Sequence, residues 1–192
     1  MSAREHLIQL FDAPRSCADG AARFLAGGWA AGDSLLVIAK PPHLVLIADY
    51  LRRHGCAVDS ETGARRAFFI DATTVLRRLR RRGVFLPGTA HDVITELVDQ
   101  ATLPGHGLRA YGEIVELLAE EGNFESACQL EDAWNAVLTT RPVRLLCGYS
   151  AAHFADPRHR PALTSVCRRH TRVQTHSADT LGTWLTTTSQ AD

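Results

Sequence analysis

The chain has 192 residues, and its hydrophobic fraction of 45% and charged fraction of 22% are those of an ordinary globular protein. The 21 basic residues balance 21 acidic ones, so no net charge attracts nucleic acid or an anionic membrane. The five cysteines form no CxxC pair, and no apolar run suits a signal peptide or membrane span, so we expect a cytoplasmic protein without membrane contact.

Apolar strands alternate with helices along the chain. The pattern predicts strands at residues 6–11, 33–39, 67–71, 108–111, 143–149 and 172–173. It predicts helices at residues 16–29, 42–54, 72–82, 89–103, 112–121, 124–139 and 162–169. Continuous apolar strands between helices favour a mostly parallel sheet covered on both faces. We therefore expect a three-layer α/β domain at residues 1–180, followed by a polar tail at residues 181–192.

Lys40, the only lysine, stands between a buried strand and the next helix, where nucleotide-binding proteins carry a phosphate loop. A working loop reads GxxxxGK[ST] and offers a series of backbone N–H donors. Here the stretch at residues 38–43 contains no glycine, and Pro41 and Pro42 have no N–H to donate. The sequence therefore predicts that the phosphate site is closed. The crevice at the strand ends could then serve an uncharged ligand instead. Lys40 itself is either an anion contact or a solvated loop residue.

Three motifs in order carry a family resemblance: LRAYGE at residues 108–113, LEDAWN at residues 130–135 and LLCGY at residues 145–149. Together with the strand at residues 6–11 and GWAAGDSLLVI at residues 28–38, they resemble the MEDS family, the methanogen/methylotroph, DcmR-type sensory domain. The resemblance covers roughly residues 6–175. It implies a RecA-like fold, related to circadian-clock ATPases, with a degenerate phosphate loop, and a role in sensing small hydrocarbon derivatives.

The resemblance also implies partners, because family members occur alone or fused to DNA-binding domains or histidine kinases. No helix-turn-helix segment precedes the sensory domain in this sequence. We therefore expect no direct nucleic-acid binding, and output through a partner transcription regulator or histidine kinase. Self-association into a homo-oligomer is expected as well.

The family's signature residues fall on a definite set of positions in this chain: His6, Tyr111, Glu113, Glu131, Asn135 and Tyr149. With Lys40, they are the predicted ligand-binding set. Tyr111 and Tyr149 end strands and should lie at one rim of the sheet, where a tyrosine suits a small, weakly polar ligand. Structural alternatives remain open: Glu113 may favour a helix N-terminus through its charge alone, and Glu131 may pair with Arg109.

The sequence offers little for catalysis or metal binding. HExxH, GxSxG and GxGxxG are absent, and no nucleophile lies beside Glu113 or Glu131 in the sequence, so we expect no enzyme activity and no cofactor. The Cys167–His170 spacing lacks the second close pair that a zinc site needs, so no metal is expected. Cys147, inside a strand, is interpreted as a small buried hydrophobe.

Three functions remain open. The first is a non-catalytic sensor of a small organic ligand. The second is a protein-interaction module derived from a RecA-like ATPase, with the arginine run at residues 77–82 as docking surface. The third is an ATP-binding enzyme with an atypical loop, in which Lys40 and Glu113 would contact phosphate and water.

Overall fold

The computed structural model describes residues 5–61 and 65–174, so the predicted tail at residues 181–192 lies outside the described residues. The strands are β1 (Glu5–Phe11), β2 (Ser34–Ala39), β3 (Ala67–Asp71), β4 (Arg80–Arg81), β5 (Val84–Phe85), β6 (Leu108–Gly112), β7 (Val143–Ser150) and β8 (Arg172–Gln174). The α-helices are α1 (Pro14–Ala30), α2 (Pro41–Arg53), α3 (Ala72–Arg78), α4 (Pro87–Ala101), α5 (Ile114–Glu120), α6 (Phe124–Thr140) and α7 (Arg160–Cys167). Two 3₁₀ turns, Ala151–Phe154 and Pro157–His159, lead from β7 to α7.

Six of the strands form one sheet in the order β3-β2-β6-β7-β1-β8, and every neighbouring pair is parallel. Helices α1 and α2 pack on one face, and α3 to α7 pack on the other. The predicted three-layer α/β fold with a mostly parallel sheet is therefore confirmed. Within the described ranges, no helix combines the length and the apolar character that a membrane crossing requires.

The strands are buried on both sides, and their side chains alternate between two cores. In β1, Leu7 and Phe11 pack towards α1 and α2, whereas Ile8 and Leu10 pack towards the five helices of the opposite layer. This alternation follows from the two-residue period of a strand. It explains why β1 and β2 are almost uniformly buried rather than amphipathic.

The predicted helix at residues 16–29 is found as α1, which extends to Ala30 and contains Gly27 and Gly28. Gly28 is needed for packing: a Cβ there would lie 2.7 Å from Cδ of Arg109. The chain turns instead at Gly32, whose φ of +88° is a left-handed conformation that glycine adopts without strain.

The predicted basic helix at residues 72–82 is longer than the observed one. Helix α3 ends at Arg78, and the remaining arginines enter a small antiparallel hairpin of β4 and β5. Its two-residue loop, Arg82 and Gly83, has φ values of 51° and 82°, which a type I′ turn requires. Arg78 and Arg80 are paired with Glu96 and Glu121.

Two topological switch points lie at the carboxyl edge of the sheet. After β2 the chain continues into α2 on one face, whereas after the neighbouring β6 it continues into α5 on the other face. The neighbours β1 and β7 diverge in the same way, towards α1 and α7. Such switch points are where open α/β sheets bind ligands.

Candidate functional site

The structure does not bring the predicted site residues into one pocket. Tyr111 and Tyr149 each occupy the next-to-last position of their strand, but they point to opposite faces of the sheet. Tyr111 and Glu113 join Cys17 and His43 in one buried group, the Glu113 cluster. The second group, the Glu131 cluster, contains His6, Glu131, Cys147, Tyr149 and His170.

The Glu113 cluster is organised around one carboxylate that is fully buried. Glu113 directly follows β6 and is the N-cap residue of α5, which places it at the switch point between β2 and β6. Its Oε1 accepts a hydrogen bond from the Tyr111 hydroxyl at 2.6 Å and lies 2.7 Å from Nδ1 of His43. The Cys17 thiol donates to the same oxygen at 3.3 Å.

The second oxygen of Glu113 accepts a hydrogen bond from the backbone at the end of the neighbouring strand β2. Oε2 accepts the N–H of Lys40 at 2.8 Å, so the carboxylate ties the end of β2 to the start of α5. Burial alone would raise the pKa of Glu113, but the hydrogen bond and charge of His43 and the other donors lower it below its ordinary value. Glu113 is therefore a buried anion at neutral pH.

Cys17 and Tyr111 are held as neutral donors. Burial, together with the negative charge of Glu113, raises the pKa of the Cys17 thiol well above its ordinary value. Burial likewise raises the pKa of Tyr111, and the charges and hydrogen bonds of Cys17 and Glu113 add to the effect. Cys17 is therefore not an activated nucleophile, because the thiolate is disfavoured.

The Lys40 side chain points away from the cluster and pairs with two carboxylates. Its Nζ lies 3.0 Å from Glu120 Oε2 and 3.7 Å from Glu116 Oε1. Glu116 is itself buried, and its Oε2 accepts the N–H of Ser150 at 2.8 Å, at the end of β7. The backbone N–H groups at the ends of β2 and β7 are thus both occupied by the chain's own carboxylates.

The Glu131 cluster lies on the opposite face, between β1, β7 and α6. Glu131 Oε2 lies 3.1 Å from Nε2 of His6 and accepts from the Cys147 thiol at 3.4 Å. Oε1 accepts the Tyr149 hydroxyl at 2.8 Å and lies 3.3 Å from Nε2 of His170. The side chains of Glu131 and His170 are fully buried.

Glu131 is held as a carboxylate. Burial alone would raise its pKa, but the charges and hydrogen bonds of His170 and His6 lower it far below its ordinary value. For His6, burial opposes the charged form, yet Glu131 raises the pKa of the imidazole above its ordinary value. The expected pairing of Glu131 with Arg109 does not occur, since Arg109 lies 3.5 Å from Asp33 instead.

Asn135 belongs to the edge of this cluster. It lies one turn after Glu131 on α6, as the four-residue spacing predicts. Its Oδ1 lies 2.9 Å from Nδ1 of His6, and its Nδ2 donates to the backbone carbonyl of Arg169 at 3.0 Å. The amide therefore orients the His6 ring and does not face a ligand space.

Four cluster members were not predicted: Cys17, His43, Cys147 and His170. Cys147 was interpreted as a small hydrophobe, and His170 was considered only beside Cys167, which contributes no ligand atom to the cluster. The signal that was available is local: His6 lies on the same face of β1 as the buried Ile8 and Leu10. A polar ring at such a position needs a polar partner from another element.

A cavity of about 400 Å³ lies between α3 and α5, away from both clusters. Its lining combines apolar and charged side chains: Thr73, Leu76, Arg77, Arg80, Leu117, Glu120 and Glu121. None of the seven predicted ligand-binding residues lines it.

Comparison with a family model places the chain among known proteins. A search of curated proteins gave no significant match. The family model described as MEDS, the methanogen/methylotroph, DcmR sensory domain, matches residues 5–171. This range contains every residue of the Glu113 and Glu131 clusters. Because the match spans most of the 192 residues, the chain belongs to the MEDS family of sensory domains.

Proposed function

We propose that the protein is a non-catalytic sensor that binds a small, uncharged organic molecule, such as a hydrocarbon derivative, at the Glu113 cluster. The observation that carries this proposal is the position of a buried carboxylate at the switch point between β2 and β6, with donors from α1, α2 and β6 converging on it. Buried polar networks are costly unless they are fully satisfied. A ligand with one oxygen or halogen would exchange hydrogen bonds with Tyr111 on β6 and Cys17 on α1, and would shift α1 on the sheet.

The charges at this edge of the sheet favour a neutral ligand over an anion. Glu113 and Glu116 occupy the N–H groups at the ends of β2 and β7, and Glu120 pairs with Lys40. A phosphate would meet like charges and find these donors already used. Pro41, at the first position of α2, has no N–H to add. These contacts argue against the alternative of an ATP-binding enzyme that uses Lys40 and Glu113.

The proposed signal passes from the cluster to a partner transcription regulator or histidine kinase. The cluster joins the ends of β2 and β6 to α1 and α2, so a change in its hydrogen bonds changes how two helices of one layer sit on the sheet. The alternative of an interaction module with the arginine run as docking surface has less support, because Arg78 and Arg80 are paired within the chain.

The test is a thermal-shift screen of the protein with short halogenated and oxygenated hydrocarbons. We expect at least one compound to raise the melting temperature in a concentration-dependent way, because a ligand that binds the folded state stabilises it. Tyr111→Phe should abolish the response. Tyr149→Phe is the matched control, since it also removes a buried hydroxyl that donates to a glutamate, but on the opposite face.

Two results would contradict the proposal. One is a ligand response that survives Tyr111→Phe but disappears in Tyr149→Phe, which would move the site to the other cluster. The other is saturable binding of magnesium-ATP measured by calorimetry, with no response to any neutral compound.

A further inference from the structure

We infer that the four residues His6, Glu131, Cys147 and His170 form a binding site for one Zn²⁺ ion. This site lies on the face of the sheet opposite the Glu113 cluster, and the inference does not depend on the proposed sensory ligand. One nitrogen, oxygen or sulfur atom from each residue lies within 4.8 Å of the others. Two imidazoles, one thiolate and one carboxylate are ligands that zinc takes in proteins.

The distances between these atoms suit a tetrahedral ion. With zinc bonds of about 2.0–2.1 Å to nitrogen and oxygen and about 2.3 Å to sulfur, neighbouring ligand atoms of a tetrahedron lie roughly 3.3–3.6 Å apart. From Glu131 Oε2 the distances are 3.1 Å to His6 Nε2 and 3.4 Å to Cys147 Sγ, whereas His170 Nε2 lies 3.3 Å from the other carboxylate oxygen, Oε1. Cys147 Sγ and His6 Nε2 are 3.5 Å apart.

Both histidines are oriented as metal ligands usually are. Nδ1 of His6 is bonded to Oδ1 of Asn135, and Nδ1 of His170 lies 2.8 Å from the Val166 carbonyl oxygen. Each Nδ1 therefore carries a hydrogen and donates it outward, which turns the Nε2 atom of each ring into the cluster. Such outer hydrogen bonds fix the tautomer of metal-bound histidines. The hydroxyl of Tyr149 supports the ligating carboxylate of Glu131 in the same way.

Without a metal ion, protonation of the two histidines cannot satisfy both the hydrogen bonds and the charge balance of this cluster. The Nε2 of His170 is buried and has no hydrogen-bond partner among the described residues, although it lies 3.3 Å from the Glu131 carboxylate. Protonating both rings would bury two imidazolium ions, with ring centroids 4.1 Å apart, against a single carboxylate. That leaves one uncompensated positive charge in the interior, which is costly.

A zinc ion removes this imbalance. Its two positive charges are matched by the Glu131 carboxylate and a Cys147 thiolate, while both imidazoles stay neutral. Binding releases the Cys147 proton and any proton held at Nε2 of the histidines, so affinity rises with pH. The Glu113 cluster has no such need, because its thiol, hydroxyl and imidazole all face a single carboxylate oxygen.

The ion would also hold the last described segment in place. His170 lies between α7 and the three-residue edge strand β8, and Thr171 N–H donates to the His6 carbonyl at 2.7 Å. Zinc bound to His6 and His170 would therefore fasten β8 to β1.

The experiment is a zinc titration of the full chain after treatment with a chelator, with elemental analysis of the dialysed protein. We expect one Zn²⁺ per chain, and a thiolate-to-metal charge-transfer absorption when Co²⁺ replaces zinc. Cys147→Ser and His170→Gln should abolish stoichiometric binding. Asn135→Ala should weaken zinc binding by about 10–100-fold, because it removes only the outer hydrogen bond to His6.

The chain offers two matched controls. Cys167→Ser changes the cysteine nearest to His170 in sequence and should leave zinc binding unchanged. Cys17→Ser changes a buried cysteine of the Glu113 cluster and should also leave it unchanged. Loss of zinc binding in Cys17→Ser, with binding retained in Cys147→Ser, would overturn the assignment.

X-ray absorption of the zinc-loaded wild-type chain decides the matter even where a variant does not fold. We expect one sulfur at about 2.3 Å and three nitrogen or oxygen atoms at about 2.0–2.1 Å. A shell with no sulfur, a shell with two or more sulfurs, or a folded chain that retains no zinc would each refute the site.

Discussion

Replacing Glu113 with glutamine tests whether the buried carboxylate organises the edge of the sheet. The amide oxygen can keep the place of Oε1, but the amide nitrogen then faces the Lys40 N–H, donor against donor. A buried N–H without an acceptor costs about 1–3 kcal/mol, and the remaining hydrogen bonds lose the strength that an ionised acceptor gives them. We expect Glu113→Gln to lower the free energy of unfolding by about 2–5 kcal/mol.

Urea unfolding at neutral pH, followed by circular dichroism, measures this change. The melting temperature should fall by roughly 4–20 °C, since 1 kcal/mol corresponds to about 2–4 °C in a protein of this size. Glu120→Gln is the control, because it removes the same charge near Lys40 from a side chain that is 56% exposed. It should cost less than about 1 kcal/mol. Equal stability of the two variants would show that the carboxylate does not organise this edge.

Two further predictions concern the same cluster. The folded-state pKa of Glu113 lies below its ordinary value of 4.5, so its stabilisation is present above that pH and is lost as the pH falls through the folded-state value. The stability difference between the wild type and Glu113→Gln should therefore narrow on acidification below about pH 4.5; a difference that stays constant would contradict an ionised Glu113. Gly148→Ala should destabilise by about 1–3 kcal/mol, because the new Cβ would lie 2.5 Å from the Tyr111 hydroxyl oxygen. Gly112→Ala, where no atom lies within 4 Å of the new Cβ, is the strand control and should cost less in chemical unfolding.

Much of the fold follows from local patterns that the sequence displays. Uniformly apolar segments of five to eight residues, separated by helices, indicate parallel strands covered on both faces. The short strand near residues 172–173 is found as β8. The predicted helix at residues 72–82 is too long because a turn at Arg82 and Gly83 folds the end of the arginine run into a hairpin.

Such local patterns could not predict which residues form the two clusters. Alternation shows that Tyr111 and Tyr149 are buried near strand ends, but not that they face opposite layers. That depends on the register of β6 with β7, in which Tyr111 is aligned with Leu146. A shift of one residue in a strand reverses the face of every side chain.

The sequence by itself determined the α/β class, the order of strands and helices, and the polar residues that interrupt apolar strands. Only the tertiary structure decided which of those residues meet. His6 and Cys147 are separated by 141 positions in the chain, yet their side chains are 3.5 Å apart because β1 is inserted between β7 and β8. Periodicity shows which side chains of one segment share a face. Contacts between distant segments depend instead on the strand order, which is set by the packing of the whole core.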